Sequence, residues 1–497
     1  MDFLIATLLF SSFLAFAYVI IISGRRNSRL PPGPFPLPVI GNLLCLGDKP
    51  HHSLATLSKR YGPLMSLKLG SRTTVVVSSP DIAKKFFQKH DHFFSSRSIP
   101  DSVRVVDHEK YSIVFLPAED QWRKLRKICK EYIFSVQRLD ANELLRRKKV
   151  EELLDHVSGC CTNQKDVNIG GIAFTTTLNV LSNVMFSMDL AQYDSVSSTE
   201  FKDTVRALME VIGKPSISDF FPILKPFDPQ GFVRQGNAYG KKILSIFDTV
   251  INQRLQTRSS SSLKETNNDV LDLLLNLNQK NEVRFTQNDM GHLFFDLFIA
   301  GTDTTSSTLE WVMTELIRNP EKLETARLEV IKIMKNKKDI VQESDISQLP
   351  YLQAVIKETL RLHPPVPFLV PHQAICDTEI HGYMVPKNAQ VLCNVWAMGR
   401  DSKFWSCPET FLPERFLEVK IDYKGQDFEF IPFGAGRRIC PGLNLAHRML
   451  HIMLGSLILK FDWKLGGNIS AQDIDMDERF GFTLQKSAPL KAIPLRM

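Results

Sequence analysis

The chain has 497 residues, a formal net charge of +7 and hydrophobic residues at 43% of positions. This length allows large cores, and the mild basic excess is spread along the chain, which argues against nucleic acid as a partner. The eight cysteines include no CxxC pair and no zinc-like spacing, so we expect reduced, cytosol-facing thiols rather than a disulfide framework.

The N-terminal segment predicts where the protein resides. Phe3 to Ile22 is a run of 20 uncharged, mainly apolar residues. As a helix it would be about 30 Å long, enough to cross a bilayer once. Three arginines follow, so the positive-inside rule places the rest of the chain in the cytoplasm. We predict a single-pass signal anchor over residues 1–24 in the endoplasmic reticulum membrane, with a cleaved signal peptide as the alternative.

A basic and proline-rich hinge is predicted over residues 25–50. Its run from Leu30 to Pro38 holds too many prolines for a helix or an inner strand, which predicts a stiff, extended connector. Leu64 to Leu69 and Thr73 to Val77 are rich in branched residues and flank a turn glycine. These two segments predict a β-hairpin.

Helical patterns cover most of residues 80–340, and no internal repeat interrupts them. The linker-like segment Arg258 to Asp269 predicts an exposed loop because it is rich in serine and asparagine. A domain boundary there would separate motifs that we expect to meet at one site. We therefore predict a single catalytic domain over residues 51–497, mainly α-helical with small β-sheets.

The pattern over Gln287 to Arg318 predicts a long helix that is buried on most faces. Its middle carries the polar run Ala-Gly-Thr-Asp-Thr-Thr at residues 300–305. Glycine lets a flat ligand approach the helix, and the Thr304 hydroxyl can donate to a carbonyl one turn earlier, opening the helix locally. The alternative is a threonine-rich turn that satisfies its own hydrogen bonds inside a core.

The most specific motif is Phe-Gly-Ala-Gly-Arg-Arg-Ile-Cys-Pro-Gly at residues 433–442. Its glycines permit a tight turn, and Cys440 precedes a helix predicted from Pro441 to Lys460. The N-terminus of that helix, Arg437 and Arg438 predict an ionised Cys440, which is the form that ligates a metal. The alternative is an inert, buried cysteine in a glycine-containing turn.

The pattern Phe-x-x-Gly-x-Arg-x-Cys-x-Gly, together with the polar run at 300–305, resembles the microsomal cytochromes P-450, and the resemblance covers essentially the whole chain. It implies the cytochrome P-450 fold and haem b, with Cys440 as the axial thiolate ligand of iron. It also implies that Asp303 and Thr304 are the catalytic acid and alcohol that deliver protons to dioxygen.

A structural ion-pair cluster is a further implication. Glu358 and Arg361 lie three residues apart on one helical face and can pair, although exposed pairs of this kind contribute only about 0.2–1 kcal/mol. The resemblance adds Arg415 from the run Pro-Glu-Arg-Phe. We expect this cluster to lock the segment that leads to the cysteine motif.

Cations for the haem propionates are also implied. Trp122 and Arg126 match a helix that contacts propionates, and Arg438 lies two residues before the cysteine. His372 stands where many relatives have arginine, which suits a carboxylate better than a neutral imidazole. Phe433 is placed to cover the sulfur. The basic face around Lys124 could dock an acidic reductase.

Shorter stretches resemble the plant branch that holds geraniol hydroxylases, diterpenoid oxidases and tyrosine-oxidising betalain enzymes, the geraniol hydroxylase type being nearest. They are Ser95 to Ser98, Phe220 to Leu224, Asp228 to Gly231, His363 to Leu369 and Asp475 to Glu478.

This resemblance implies an NADPH- and O2-dependent monooxygenase that hydroxylates a small apolar terpenoid such as a geraniol-like monoterpenol. Electrons would come from a separate NADPH-cytochrome P-450 reductase. The same chemistry on a diterpenoid phenol, a prenylated phenol or tyrosine is the alternative. A reductase-independent haem-thiolate isomerase and a haem-based sensor are disfavoured by the Asp303–Thr304 pair. Predicted pocket walls are Val103 to Phe115, Met209 to Gly213, Phe295 to Thr304, Val366 to Val370 and Phe482-Thr483.

Overall fold

The structure is a computed structural model that describes residues 7, 11–13, 29–193, 196–260, 269–279, 285–334, 340–466 and 470–497. The predicted membrane span, Phe3 to Ile22, lies almost entirely outside the described residues. Helices dominate the described chain and the sheets are small, which confirms the predicted fold class.

The α-helices of the described part of the chain are α1 Pro50–Tyr61, α2 Pro80–Lys84, α3 Asp120–Ile128, α4 Val136–Ala141, α5 Glu143–Thr162, α6 Ile169–Phe186, α7 Val196–Gly213, α8 Ile217–Phe220, α9 Phe232–Ser260, α10 Val270–Gln279, α11 Gln287–Arg318, α12 Pro320–Met334, α13 Pro350–Leu362, α14 Val395–Met398, α15 Arg415–Glu418 and α16 Leu443–Lys460.

The strands are β1 Leu64–Leu69, β2 Arg72–Val77, β3 Ser96–Arg97, β4 Val167–Asn168, β5 His372–Gln373, β6 Thr378–Ile380, β7 Tyr383–Val385, β8 Gln390–Cys393, β9 Phe461–Leu465, β10 Glu478–Arg479, β11 Gln485–Lys486 and β12 Lys491–Arg496. The largest sheet has the order β1-β2-β8-β5-β3. In it β2 runs parallel to β8, and the other pairs are antiparallel. The predicted hairpin is β1–β2, with β2 beginning at Arg72.

The long helix α11 has the predicted bounds and runs through the core. Thr286 caps its N-terminus by accepting from the Asp289 backbone N–H, while the Asp289 side chain accepts from the Thr286 backbone N–H. Such a reciprocal cap satisfies two donors that the first turn leaves without helical partners. The helix packs along α6, α9 and α16, so its middle is enclosed by apolar side chains.

Two predicted boundaries are wrong. α16 begins at Leu443 rather than Pro441, with Gly442 as its N-terminal cap residue, so the proline lies outside the first helical turn. The predicted loop from Arg258 is helical through Ser260, because α9 continues there and the Arg258 guanidinium pairs with Asp272 at 2.9 Å. Residues 261–268 of that predicted loop lie outside the described chain.

The proline-rich run packs on the first sheet. The carbonyl oxygen of Pro32 accepts from the Ser66 backbone N–H at 2.8 Å, and the carbonyl oxygen of Pro31 accepts from the Ser66 hydroxyl at 2.6 Å. A side chain at Gly33 would collide with the Ser66 carbonyl oxygen, 1.9 Å from the position of its Cβ. The run therefore lies along the edge of β1, and the domain boundaries at 24 and 50 stay predictions.

Among the described residues, α6 is the one helix whose length and composition would allow it to cross a bilayer. Of its 18-residue apolar window, 83% is buried inside the protein. It packs against α11 and lines the cavity described next, so a role in the core accounts for its apolar sequence.

Candidate active site

A cavity of about 250 Å³, measured as space open to the centre of a water molecule, lies beside α11 and the cysteine motif. This is many times the space that one water needs. Each predicted site residue except Asp303 lines it: Trp122, Arg126, Thr304, His372, Phe433, Arg438 and Cys440. The sequence motifs, which are spread over residues 122–440, therefore meet at one place.

The loop before Cys440 places the thiol at the cavity wall. The Cys440 backbone N–H donates to the Phe433 carbonyl oxygen at 2.9 Å, which closes the loop. Gly434 and Gly436 adopt φ angles of 75° and 67°, which side chains rarely adopt. A Cβ on Gly436 would also lie 2.4 Å from the carbonyl oxygen of Phe87. Glycine is thus required at position 436 for two independent reasons.

The electrostatics of Cys440 differ from the prediction. Burial raises the pKa of its thiol, against opposing effects of the Gly442 backbone N–H and the Arg126 charge. Arg437 is not a neighbour that ionises it, because its guanidinium pairs with Asp91. The protein alone therefore holds a protonated thiol, and a metal that binds there would displace the proton.

Three guanidinium groups line the cavity. Arg126 donates to the Ile439 carbonyl oxygen at 2.5 Å. Arg438 donates to the carbonyl oxygens of Ser95, Ile113, Val114 and Leu116 and lies 4.6 Å from the centre of the Trp122 ring. Sequence reasoning missed Arg97, which is buried, donates to Val370 at 2.5 Å and leaves its Nε without a hydrogen-bond partner. The arginine in the quoted run Ser-Ser-Arg-Ser was the available signal.

Trp122 and His372 line the cavity, and each has one ring nitrogen bonded to a backbone carbonyl oxygen. The Trp122 indole N–H donates to the Ile113 carbonyl oxygen at 3.0 Å. The His372 ring contacts the Phe94 carbonyl oxygen through Nδ1 at 2.6 Å, which makes Nδ1 the protonated nitrogen. Burial, then the Arg97 charge, holds the pKa of His372 well below its ordinary value. His372 is therefore a neutral group, and the positive charge of this wall comes from Arg97.

The side chains of Thr304 and Asp303 lie in different surroundings. The Thr304 hydroxyl donates to the Ala300 carbonyl oxygen at 2.7 Å, as predicted, but α11 continues without a break there. Asp303 is buried away from the cavity wall, and burial raises the pKa of its carboxyl. Gln485 Nε2 donates to both carboxylate oxygens at 2.7 and 2.9 Å.

Gly301 serves helix packing as well as the cavity. A Cβ there would lie 2.8 Å from a methyl group of Leu181 on α6. The glycine lets α6 approach α11, and both helices then line the cavity.

The predicted cluster of Glu358, Arg361 and Arg415 is present and buried. Arg361 donates to both Glu358 carboxylate oxygens at 2.7 Å, and Arg415 donates to one of them at 3.2 Å. Arg361 also donates to the Gly399 and Pro408 carbonyl oxygens. The cluster thus ties α13 to the segment that leads to the cysteine loop.

The cavity walls agree with four of the five predicted ranges. Lining residues come from 103–115, 295–304, 366–370 and 482–483, but no described residue of Met209 to Gly213 contributes. Met209 is buried in the core, and Gly213 packs against the Phe482 backbone. Sequence reasoning missed the α6 contribution, Thr177, Val180 and Leu181.

A second missed feature is the buried polar cluster around Asp296, one turn before Ala300 on α11. Its carboxylate accepts from the Ser112 hydroxyl at 2.8 Å, from the Ile113 backbone N–H at 2.8 Å and from His108 Nε2 at 3.0 Å. These bonds fasten the loop over the cavity to α11. Asp296 lines the cavity, yet its oxygens already have partners.

The fold is mainly helical, and one cavity beside α11 is lined by the Cys440 thiol, the guanidinium groups of Arg97, Arg126 and Arg438, and apolar side chains. The family model described as Cytochrome P450 matches residues 31–490. The chain belongs to the cytochrome P450 family, and it is a monooxygenase.

The curated relatives are plant proteins that match over nearly the whole chain. Cytochrome P450 76T24 of Catharanthus roseus is 53% identical over 490 residues, which cover 98% of each chain. Cytochrome P450 76AD1 of Beta vulgaris is 51% identical, with 97% of each chain covered. Geraniol 8-hydroxylase of Swertia mussotii is 50% identical, with 94% of each chain covered. The predicted resemblance to this plant branch is confirmed.

The residues of the cavity fit a haem. The half-buried Cys440 thiol supplies a soft ligand, and the Nε of Arg97, which has no partner among the described residues, calls for an acceptor. A propionate carboxylate is such an acceptor. The remaining walls are apolar, which suits the porphyrin face.

Proposed function

We propose that this monooxygenase hydroxylates a small, apolar terpenoid alcohol of the geraniol type. The observation that carries the proposal is the composition of the cavity walls, to which Leu297, Val366, Leu369 and Phe482 contribute. Apolar walls bind apolar carbon skeletons by removing both surfaces from water. The relative named geraniol 8-hydroxylase, 50% identical, supports the same substrate class.

Cys440 would bind the haem iron through its thiolate, Arg97, Arg126 and Arg438 would bind the propionates, and Phe433 would cover the sulfur. The chemistry that a thiolate-ligated haem supplies when bound is activation of dioxygen, because the thiolate favours O–O cleavage. The rest of the chain positions the substrate and excludes stray water.

Proton supply is the task that we assign to Thr304 and Asp303. The Thr304 hydroxyl holds a proton at the cavity wall, and its bond to Ala300 keeps it oriented until it donates elsewhere. Asp303 lies behind the wall, and burial raises the pKa of its carboxyl, which favours the proton-carrying form. Rotation of Asp303 away from Gln485 would let it restore the proton to Thr304.

The charged residues of the cavity disfavour tyrosine as the substrate. An amino acid zwitterion needs a free anion and a free cation nearby. Among the described residues that line the cavity, one carries a carboxylate, Asp296, and its oxygens already accept hydrogen bonds. The guanidinium groups lie around the proposed haem site. A diterpenoid phenol carries no zwitterion that needs charged partners, so it is the second substrate class to test.

Electrons would come from NADPH through a separate reductase, and the exposed basic residues of α3 around Lys124 are the proposed docking face. We place the enzyme in the endoplasmic reticulum membrane, anchored by residues 1–24 with the catalytic domain in the cytoplasm. The apolar run and the arginines that follow it support this location.

The test is a parallel incubation of membranes containing this protein and a plant reductase with geraniol, a diterpene phenol or tyrosine. We expect a hydroxylated geraniol product that requires NADPH, O2 and reductase together. Cys440→Ala membranes are the matched control and should form none. Product from tyrosine alone would overturn the substrate proposal, and product from geraniol without reductase or oxygen would overturn the electron route.

A further inference from the structure

A cluster of imidazoles and carboxylates lies outside the site described above. It consists of His51 and His52 at the start of α1, Glu478 in β10 and His363 directly after α13, and we call it the His51 cluster. His51, His363 and Glu478 are buried, whereas the His52 side chain is 45% exposed. The cluster joins three elements that are far apart in sequence, and monooxygenase chemistry gives it no task.

The ligand atoms of His51, His52 and Glu478 converge on one point. His51 Nε2 lies 2.9 Å and His52 Nε2 lies 3.1 Å from the same Glu478 oxygen, Oε2. All three atoms lie within 4.8 Å of one another. Tetrahedral ligands of a zinc ion are about 3.4 Å apart, so side-chain rotations of about 1 Å would seat an ion among them.

His363 provides an independent sign of an absent partner. It is only 7% exposed, and its Nδ1 has no hydrogen-bond partner. This atom points toward the cluster and lies 3.6 Å from Glu478 Oε1, which is too far for a hydrogen bond. On the other side of the ring, Nε2 lies 2.7 Å from Glu315 Oε1. His363 is therefore a buried neighbour of Glu478 with one nitrogen unpartnered among the described residues, outside the three atoms that would hold a metal.

The charges around the cluster also suit a metal. Two carboxylates, Glu478 and Glu315, are available to balance a divalent ion. The positive charge of nearby Arg400 would repel a metal ion. Its guanidinium, however, stacks on Trp396 at 3.9 Å and pairs with Glu409 at 3.1 Å.

We propose that the His51 cluster binds one Zn²⁺ ion through His51 Nε2, His52 Nε2 and a Glu478 oxygen, the three atoms that lie within 4.8 Å of one another, with water as the fourth ligand. Imidazole and carboxylate ligands in this number are typical of zinc. Because the ring of His52 is exposed, the ion can reach the site from solvent. The ion would fasten α1 to β10, and the chain leaving β10 reaches the cavity at Phe482. Zinc would thus stiffen one wall of the substrate cavity.

The test uses the full-length, haem-containing protein in detergent after removal of metals with a chelator. Zn²⁺ is titrated against a chromophoric chelator, and the zinc-loaded sample is measured by zinc K-edge X-ray absorption. We expect one equivalent of zinc with nitrogen and oxygen ligands at about 2.0–2.1 Å and no sulfur at about 2.3 Å. Mg²⁺ in excess should not displace it.

His52→Ala is the test variant because its exposed side chain can be removed with little effect on folding. We expect zinc affinity to fall at least tenfold. The matched control is His92→Ala, an exposed histidine outside the cluster, which should bind zinc as the parent protein does. The carbon monoxide spectrum of each variant checks that the haem domain is intact.

Three results would overturn the proposal. They are the absence of stoichiometric zinc binding, a first coordination shell that contains sulfur from the cysteines, and equal zinc affinities of the His52→Ala and parent proteins. None of these results bears on the substrate or on the electron route, so the outcome is independent of the proposed function.

Discussion

Gln485 Nε2 donates to both carboxylate oxygens of Asp303, at 2.7 and 2.9 Å. Gln485 belongs to β11, and Asp303 lies in the middle of α11. The pairing holds the proposed acid behind the cavity wall, beside Thr304 rather than in the cavity itself. Its release from Gln485 is the motion that our account requires before each proton transfer.

Asp303→Asn tests this relay. The amide oxygen can still accept from Gln485, but the side chain can no longer carry an acidic proton. We expect kcat to fall about 100-fold, the size typical of general acid catalysis. KM should change little, because Asp303 does not line the cavity. NADPH consumption per product should rise, and an unchanged ratio of product to NADPH would remove Asp303 from the relay.

Arg97→Met tests the cation that sequence reasoning missed. The buried guanidinium has one carbonyl partner and a free Nε, and burial holds its pKa well below its ordinary value. Its loss should lower haem affinity about tenfold or more, since a charged hydrogen bond contributes about 1.5–3 kcal/mol. Haem transfer to apomyoglobin measures this affinity.

The same variant should leave the haem-free protein as stable as the parent or more stable, because an unpaired buried charge is removed. Arg123→Met is the matched control, since Arg123 is exposed and pairs only with Asp120 on the surface. Equal rates of haem loss from the two variants would contradict a propionate role for Arg97.

Glu358→Gln tests the ion-pair cluster. The substitution leaves Arg361 and Arg415 buried without their anion, so we expect a loss of about 3–5 kcal/mol in the free energy of unfolding. The yield of haem-loaded protein and the urea midpoint measure the loss. Asp120→Asn, which breaks the exposed pair with Arg123, should cost less than about 1 kcal/mol. Similar losses in both variants would show that burial of the cluster does not matter.

His292 predicts a dependence of stability on pH. Burial, then the charge of neighbouring His108, lowers the pKa of His292 from 6.5 to about 4. Between these values the unfolded chain binds a proton that the folded protein rejects, so stability must fall as the pH is lowered through this window. From pH 7 to pH 5 the contribution is about 2 kcal/mol.

The measurement is the denaturation midpoint at a series of pH values for the parent protein and His292→Gln. The variant lacks this titration, and its midpoint should decline less steeply toward pH 5. Parallel slopes would mean that His292 is not buried in its neutral form. Comparing slopes rather than single midpoints cancels the lost contact with His108.

Local sequence patterns were sufficient to predict an element when the residues that determine it lie within that element. α11 has both predicted ends, because its cap and its apolar periodicity lie within the segment. The β1–β2 hairpin and the Glu358–Arg361 pair follow from short-range spacing in the same way. The predicted start of the exposed loop at Arg258 was wrong because the pairing of Arg258 with Asp272 extends α9 through tertiary contacts.

Long-range contacts explain what the sequence could not predict. The orientation of Arg97 depends on Val370, and the His51 cluster joins residues 427 positions apart. The expected ionisation of Cys440 followed from nearby cations and the N-terminus of the helix after it, whereas burial of the thiol, which sequence does not show, has the larger effect. Burial and distant partners therefore account for most of the differences.

The central claim is that the Cys440 thiolate ligates the haem iron. The most direct measurement is the absorption spectrum of the reduced carbon monoxide complex of the full-length protein and of Cys440→His. We predict that the parent protein shows the strongly red-shifted Soret band typical of a thiolate ligand. Cys440→His should retain haem and lose that band. A red-shifted band that persists in Cys440→His would contradict the assignment.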